Sequence, residues 1–323
     1  MSYVDVRVLV TGGAGFIGSH LVDRLMTEGA VVRVLDKLST GSRNNIAQWI
    51  KYPNFSFVYG DCLSREDLRK ALKDCKLVFH LAANPDVQIG AVNTNIDFEQ
   101  NIVATFNVLE EMRKSKNAKT IVFTSTSAVY GDAEVLPTPE DYGPLKPISL
   151  YGASKLACEA LISAYCNSFD IHGVIYRFAN VVGSKSRHGV IWDFIHKLIK
   201  NPGELEILGN GTQTKSYLIV DECVEALLFG LEHTFERAEI YNIGSEDQIN
   251  VKEIAKIVIK AMDLKNVKFY YTGGVNGGRG WRGDVKKMFL DISKIKNLGW
   301  KPKYNSEESV RTATSQILKE LFV

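Results

Sequence analysis

The chain has 323 residues, 45% hydrophobic and 24% charged, and its 39 basic and 37 acidic side chains leave a formal net charge of +2. The near-neutral balance gives no global field to recruit nucleic acid or an anionic membrane, so any anion must be held by local groups. No apolar run approaches the roughly 20 residues of a membrane helix, and Cys62, Cys75, Cys158, Cys166 and Cys223 form no CxxC pair or metal-like spacing with the six histidines, which predicts reduced thiols, no metal site and a soluble cytoplasmic protein.

In chain order, residues 7–10, 31–35, 55–58, 77–80, 120–123 and 174–176 read as strands. Each is a continuous apolar run, as expected for a parallel sheet covered on both faces, and the gaps of about 20 to 40 residues accommodate crossover helices. Residues 16–28, 97–114, 149–167 and 221–231 show the 3.6-residue periodicity of helices. The class is therefore α/β, a doubly wound parallel-sheet Rossmann domain. Beyond about residue 180 the pattern loosens into Gly-, Ser- and Lys-rich loops at 183–189, 203–214 and 273–283, with a last strand at 239–243. This predicts interdigitated domains: 1–182 plus about 216–245, and a smaller α/β lobe of about 183–215 plus 246–323.

Directly after the first strand comes TGGAGFIG, with Gly12, Gly15 and Gly18 three residues apart at the opening of a helix. Gly12 permits the tight turn, Gly15 lets backbone approach a pyrophosphate, and Gly18 lets helix and strand pack closely. The helix N-terminus offers free N–H groups to phosphate. Asp36 ends the second strand, close to the ~20 residues expected of a carboxylate that binds a ribose 2′-OH. It disfavours the extra phosphate of NADP, while Lys37 beside it softens that preference; NAD is the expected cofactor. Asp61 reads either as an adenine contact or as an ordinary turn Asp.

Tyr151 and Lys155 lie at i and i+4 on a predicted helix, so both project from one face. A fixed ammonium beside a phenol favours phenolate and brings its proton transfer toward physiological pH. FTSTSAVYG places Ser125, Thr126 and Ser127 at the carboxyl edge of the fifth strand, where ligands bind in this class; capping and turn chemistry is the alternative reading.

TGGAGFIG, Asp36, HLAA at 80–83, FTSTSAVYG, YGASK, RFANVVG at 177–183 and LGWKP at 298–302 together resemble the extended short-chain dehydrogenase/reductase family, in its UDP-glucose (galactose) 4-epimerase-like branch. The resemblance spans the chain. It implies Tyr151 as the base, Lys155 as the holder of the nicotinamide ribose and Thr126 as the hydroxyl partner. It implies an NAD site of Gly12, Gly15, Phe16, Ile17, Gly18, Asp36, Lys37, Ser39, Gly41, Asp61, Cys62, Leu81, Ala82, Ala83, Asn101, Thr124, Ser125, Tyr151, Lys155, Phe178 and Val181. For the nucleotide-sugar it implies Thr126, Asn180, Val190, Lys215, Tyr217, Arg279, Arg282 and Asp284, with Asn180 on the diphosphate. The implied reaction is C4 epimerisation of a UDP-hexose, glucose/galactose or their N-acetylated forms, through a transient 4-keto sugar.

Dehydratases of the family carry an Asp-Glu pair after the catalytic Thr, where this chain has Ser127 and Ala128. Two further departures stand out. Lys215-Ser216-Tyr217 replaces an Arg-containing segment, and Lys lacks the bidentate fork of Arg. In GGRGWRGDV the expected Arg position holds Trp281, with Arg279 and Arg282 on either side. His188, Gly189 and Val190 occupy the region that touches uracil in relatives. A UDP-glucuronate 4-epimerase, helped by the cations around 184–187, is the second reading; a net nucleotide-sugar oxidoreductase is the third and a non-enzymatic NAD-binding scaffold the fourth. Apolar residues beyond one stripe, such as Ile102, Phe106 and Leu109, or Leu156, Leu161 and Tyr165, add a homodimer to what the resemblance implies.

Overall fold

In the computed structural model, which describes residues 2–322, the apolar runs form a seven-stranded sheet. Its strands are β1 (Arg7–Thr11), β2 (Val31–Asp36), β3 (Phe55–Tyr59), β4 (Leu77–His80), β5 (Thr120–Thr126), β6 (His172–Phe178) and a last strand, Ala238–Ile243. β1 pairs in parallel with β2 on one side and β4 on the other, and the sheet grows outward to β3 and, through β5 and β6, to the last strand. Strand order thus reverses beside β1, which makes the carboxyl ends of β1, β2 and β4 a ligand crevice in this topology. The register aligns Thr11 with Leu35 and with His80, so the loops that open with Gly12 and Leu81 leave the sheet beside Asp36, the last residue of β2.

Both faces of the sheet are covered, which is why its strands are apolar without alternation: Val8, Leu9, Val10 and Thr11 are all fully buried. The helices of this layer include α1 (Phe16–Thr27), α2 (Arg65–Leu72), α3 (Ala104–Lys114) and α4 (Leu150–Ser168). Leu68 of α2, Val108, Leu109 and Met112 of α3 and Ile162 of α4 pack into one core with Leu9, Val78 and Ile121. Leu109, read as an apolar residue outside the core stripe, is thus a core residue. The helix expected over 97–114 starts earlier, with a turn at Thr94–Asp97, and runs through a π-helical stretch, Phe98–Val103, before α3. The wider turns depart from a 3.6-residue period, so periodicity could not show them.

The chain divides into two compact units. The first comprises Met1–Val129, Leu150–Arg177 and Val224–Tyr241; the second, Tyr130–Ser149, Phe178–Cys223 and Asn242–Val323. The second has its own core, built from Phe194, Ile195 and Leu198 of helix Val190–Lys200, Ile254 and Val258 of helix Val251–Ala261, and Val310, Ala313 and Ile317 of helix Ser306–Phe322. Around it lie short paired strands: Asn180–Val182 with Tyr217–Ile219, and Glu204–Ile207 with Lys268–Tyr271. Glu204–Ile207 corrects the reading of 203–214 as loop throughout; its run is four residues, with only Leu205 and Ile207 buried, too short to register between glycines. Among the described residues no helix is long and apolar enough to cross a membrane.

Candidate active site

The glycine turn is held by backbone contacts that no side chain would tolerate. Gly12 has φ +69°, and a Cβ there would stand 2.8 Å from Ala82 N; at Gly18 a Cβ would stand 2.2 Å from Gly12 O. α1 starts at Gly15 without a side-chain cap and without an acidic residue in its first turn. The N–H groups of Phe16, Ile17 and Gly18 therefore have no intrahelical acceptor and no competing anion, and this cradle fits a dinucleotide pyrophosphate.

Asp36 is buried beside that turn. Its carboxylate accepts from Ala14 N at 3.0 Å and Leu38 N at 2.8 Å, and burial pushes its pKa up against those hydrogen bonds. Lys37 Nζ donates to Asp61 Oδ2 at 3.0 Å and Gln100 Oε1 at 2.6 Å, so its charge is matched locally. Asp61 also accepts from Leu63 N, the turn role that the sequence left open. Gly41 packs against Ala14, where a Cβ would stand 2.8 Å from its carbonyl carbon, whereas Ser39 is exposed. Cys62 is buried and its thiol is pushed up to about 12 by burial. Leu81, Ala82 and Ala83 are half-buried, with Ala82 N donating to Thr11 Oγ1. Behind them His80 bridges Thr11 and Thr105, and burial first, then Lys155, holds it down to about 3, so it is neutral.

At the end of β5 the three hydroxyl-bearing residues part company. Thr124 gives its carbonyl to Lys155 Nζ at 2.8 Å. Ser125 donates to Glu159, which is paired with Arg177 at 2.7 Å inside the core, so its hydroxyl serves packing rather than the crevice. Thr126 alone stands at the strand's carboxyl end, accepting from Ala128 N at 3.1 Å. Burial pushes Tyr151 up to about 12, with the Asp97 carboxylate adding to the rise and the Thr126 hydrogen bond opposing it. Lys155 is itself lowered to about 8 by burial. Among this chain's own groups burial sets the direction for Tyr151, raising it where the i, i+4 spacing led to an expected fall.

In the second unit the expected substrate residues fall into paired and unpaired groups. Lys215 is 2.6 Å from Asp284 Oδ1, and Asp284 Oδ2 accepts from Gly280 N. Arg279 makes a two-pronged pair with Asp132, both distances 2.9 Å, and donates to Asp284 O. Arg282 is exposed, and Val181 and Val190 are half-buried. Phe178 and Tyr217 are buried, and Tyr217 N is held by Ser306 Oγ. Asn180 Nδ2 and Trp281 Nε1 are buried donors without an acceptor among the described residues.

Residues 8–244 match the NAD dependent epimerase/dehydratase family. The chain belongs to that family. It is 36% identical over 309 residues to a putative UDP-glucose 4-epimerase of Methanocaldococcus jannaschii, covering 94% of this chain and 96% of that one. It resembles a crystal structure of a UDP-galactose 4-epimerase at 41% identity and TM-score 0.86, covering 98% and 100% of the two chains. The UDP-glucuronic acid 4-epimerase of Bacillus cereus, solved with UDP-glucuronic acid and NAD, gives 30% identity and TM-score 0.87, covering 98% and 100%. As a member of the NAD dependent epimerase/dehydratase family, the chain is an NAD-dependent enzyme.

Two residues of this family member's first unit escaped the sequence reading. Asn84 follows HLAA directly, and its N–H donates to Asn101 Oδ1 at 2.8 Å; Asp97, four residues before Asn101, is 1% exposed and accepts from both amides. Their signal was present in HLAAN and in the i, i+4 spacing of Asp97 and Asn101, but neither pattern announces chemistry alone.

Proposed function

We propose that the chain is an isomerase that epimerises C4 of a UDP-hexose, UDP-glucose/UDP-galactose or an N-acetylated counterpart, with NAD as its resident cofactor. The observation that carries this reading is the placement of Thr126 at the carboxyl end of β5 and of Tyr151 and Lys155 on the first turns of α4, in the same unit as the uncapped glycine cradle. Gly12, Gly15, Phe16, Ile17 and Gly18 receive the pyrophosphate and Asp36 the adenosine ribose. NAD, when bound, supplies a hydride acceptor that becomes the donor, and its oxidised ring carries positive charge.

Tyr151 takes the proton of the C4 hydroxyl and later returns it, while Thr126 holds that oxygen. Lys155, anchored on Thr124 O, keeps further N–H groups for ribose hydroxyls. Ser127 and Ala128 offer no carboxylate for eliminating water. In the second unit the buried donors of Asn180 and Trp281, with Lys215 and exposed Arg282, are assigned to the diphosphate; Tyr217, Val190, Arg279 and Asp284 support them.

Incubation with UDP-glucose, UDP-galactose, their N-acetylhexosamine analogues and UDP-glucuronate, without added reductant, tests the reading. Interconversion of a neutral pair is expected; no interconversion in any mixture overturns it. A UDP-glucuronate 4-epimerase is the second reading, favoured by the Bacillus cereus likeness and by Arg187, whose guanidinium stacks on Trp192. We further propose a homodimer, supported by exposed Phe98 and Phe106, and a cytoplasmic location, supported by five buried free thiols. Light scattering checks the first.

A further inference from the structure

Glu159 and Arg177 form an ion pair inside the first unit, each 3% exposed. Arg177, the last residue but one of β6, donates from Nη2 to Oε2 at 2.7 Å and from Nε to the two oxygens at 3.1 and 3.2 Å. Taking two such charges out of water costs about as much as their attraction returns, and an apolar pair of similar volume as a rule holds a core equally well. Stability alone is therefore a poor account of the pair.

The carboxylate has a further partner: the Ser125 hydroxyl donates to Glu159 Oε1. Ser125 is buried, so water cannot take over as its acceptor. It stands between Thr124, whose carbonyl takes Lys155 Nζ at 2.8 Å, and Thr126, the last residue of β5. Tyr151, Lys155 and Glu159 follow one another at four-residue spacing along one face of α4. Two adjacent residues at the end of β5 are thus tied to two adjacent turns of α4, and Arg177 adds the neighbouring strand, β6, to the second tie.

We propose that Glu159, braced by Arg177, is a positioning residue for the proton transfer assigned to Tyr151 and Thr126: through Ser125 it fixes the carboxyl end of β5 against α4, and with it the placement of the Thr126 hydroxyl relative to the phenol. The assignment rests on the epimerase reading above. Neither Glu159 nor Arg177 has to touch cofactor or substrate. The tie matters because a misplacement of about 1 Å between reacting groups costs up to about 10²-fold in rate.

The test, in the full chain, restores stability without restoring the tie. Glu159→Leu alone leaves Arg177 a buried charge without its carboxylate and should melt well below the wild type. Glu159→Leu combined with Arg177→Met removes both charges and should melt close to it. In that paired variant kcat is expected to stay about tenfold down, with KM and bound NAD unchanged, because Ser125 has lost its acceptor. Ser125→Ala, which leaves the ion pair intact, should show the same loss. A paired variant that both melts and turns over like the wild type overturns the proposal; if that variant does not fold, Ser125→Ala at full turnover does so. Hydrogen exchange reads the tie without any turnover. The Ala128 amide, bonded to Thr126 Oγ1, should exchange about tenfold faster in Ser125→Ala while the amides of β1 keep their rates, and an unmoved Ala128 rate also overturns the proposal. Faster exchange in a protein that epimerises nothing leaves the tie standing and sinks the functional reading alone.

Discussion

Around Tyr151, in the first unit, polar groups are held by backbone atoms and by buried amides: Lys155 by Thr124 O, Asp36 by two N–H groups, Asn101 by Asn84 N. In the second unit the cations are held by acidic side chains, Lys215 by Asp284 and Arg279 by Asp132. Backbone partners fix a geometry that can hardly relax when a side chain changes. Carboxylate partners balance charge, and where one is half-exposed, as Asp132 is, it can be exchanged for another anion, such as a phosphate, at small net cost.

The largest effect should come from the first region. Tyr151→Phe removes the proton acceptor and leaves the glycine turn intact, so turnover should fall by roughly 10²- to 10⁴-fold while bound NAD is retained, as absorbance and product analysis will show. Near-full turnover would break the contrast at its strongest point. Gly18→Ala comes next. The added carbon must displace the Gly12 carbonyl, and a loss of about 2 to 3 kcal/mol in unfolding free energy is expected, with weaker NAD binding, by denaturant titration.

His80 gives a pH-dependent version of the same rigidity. Its folded pKa is lowered to about 3 and its ordinary value is near 6.5, so the unfolded state binds the extra proton between these limits. Stability should therefore rise with pH across that window, and acidifying from about pH 6.5 to 5 should remove up to about 2 kcal/mol from this residue. A variant lacking the imidazole should melt with a flatter pH dependence. The smallest effect belongs to the second region. Arg279→Ala should cost under about 1 kcal/mol of stability, since Asp132 is half-exposed, whereas Arg282→Ala should leave stability alone and raise KM. Equal KM effects would erase the distinction between held and unpaired cations.

Much of the first unit was legible because its determinants are local. The continuous apolar runs gave parallel strands, and TGGAGFIG gave the turn whose close approaches forbid any side chain. Thr126 at the strand end and the i, i+4 pair of Tyr151 and Lys155 lie where the pattern put them. Partners distant in the chain were not legible: Asp132 and Arg279 are 147 residues apart, and no periodicity links them. The π-helical stretch escaped because it breaks the very period that reveals helices. The direction of the Tyr151 shift escaped because desolvation depends on everything packed around the phenol, whereas the spacing showed only the cation.

The tether on Lys37 has a consequence for redesign. Because Asp61 and Gln100 already hold that ammonium, replacing Asp36 by a neutral residue removes one repulsion without releasing any charge to greet a 2′-phosphate. Conversion to the phosphorylated dinucleotide would thus take paired edits on β2 and after β3, a two-key lock that single-step drift does not open.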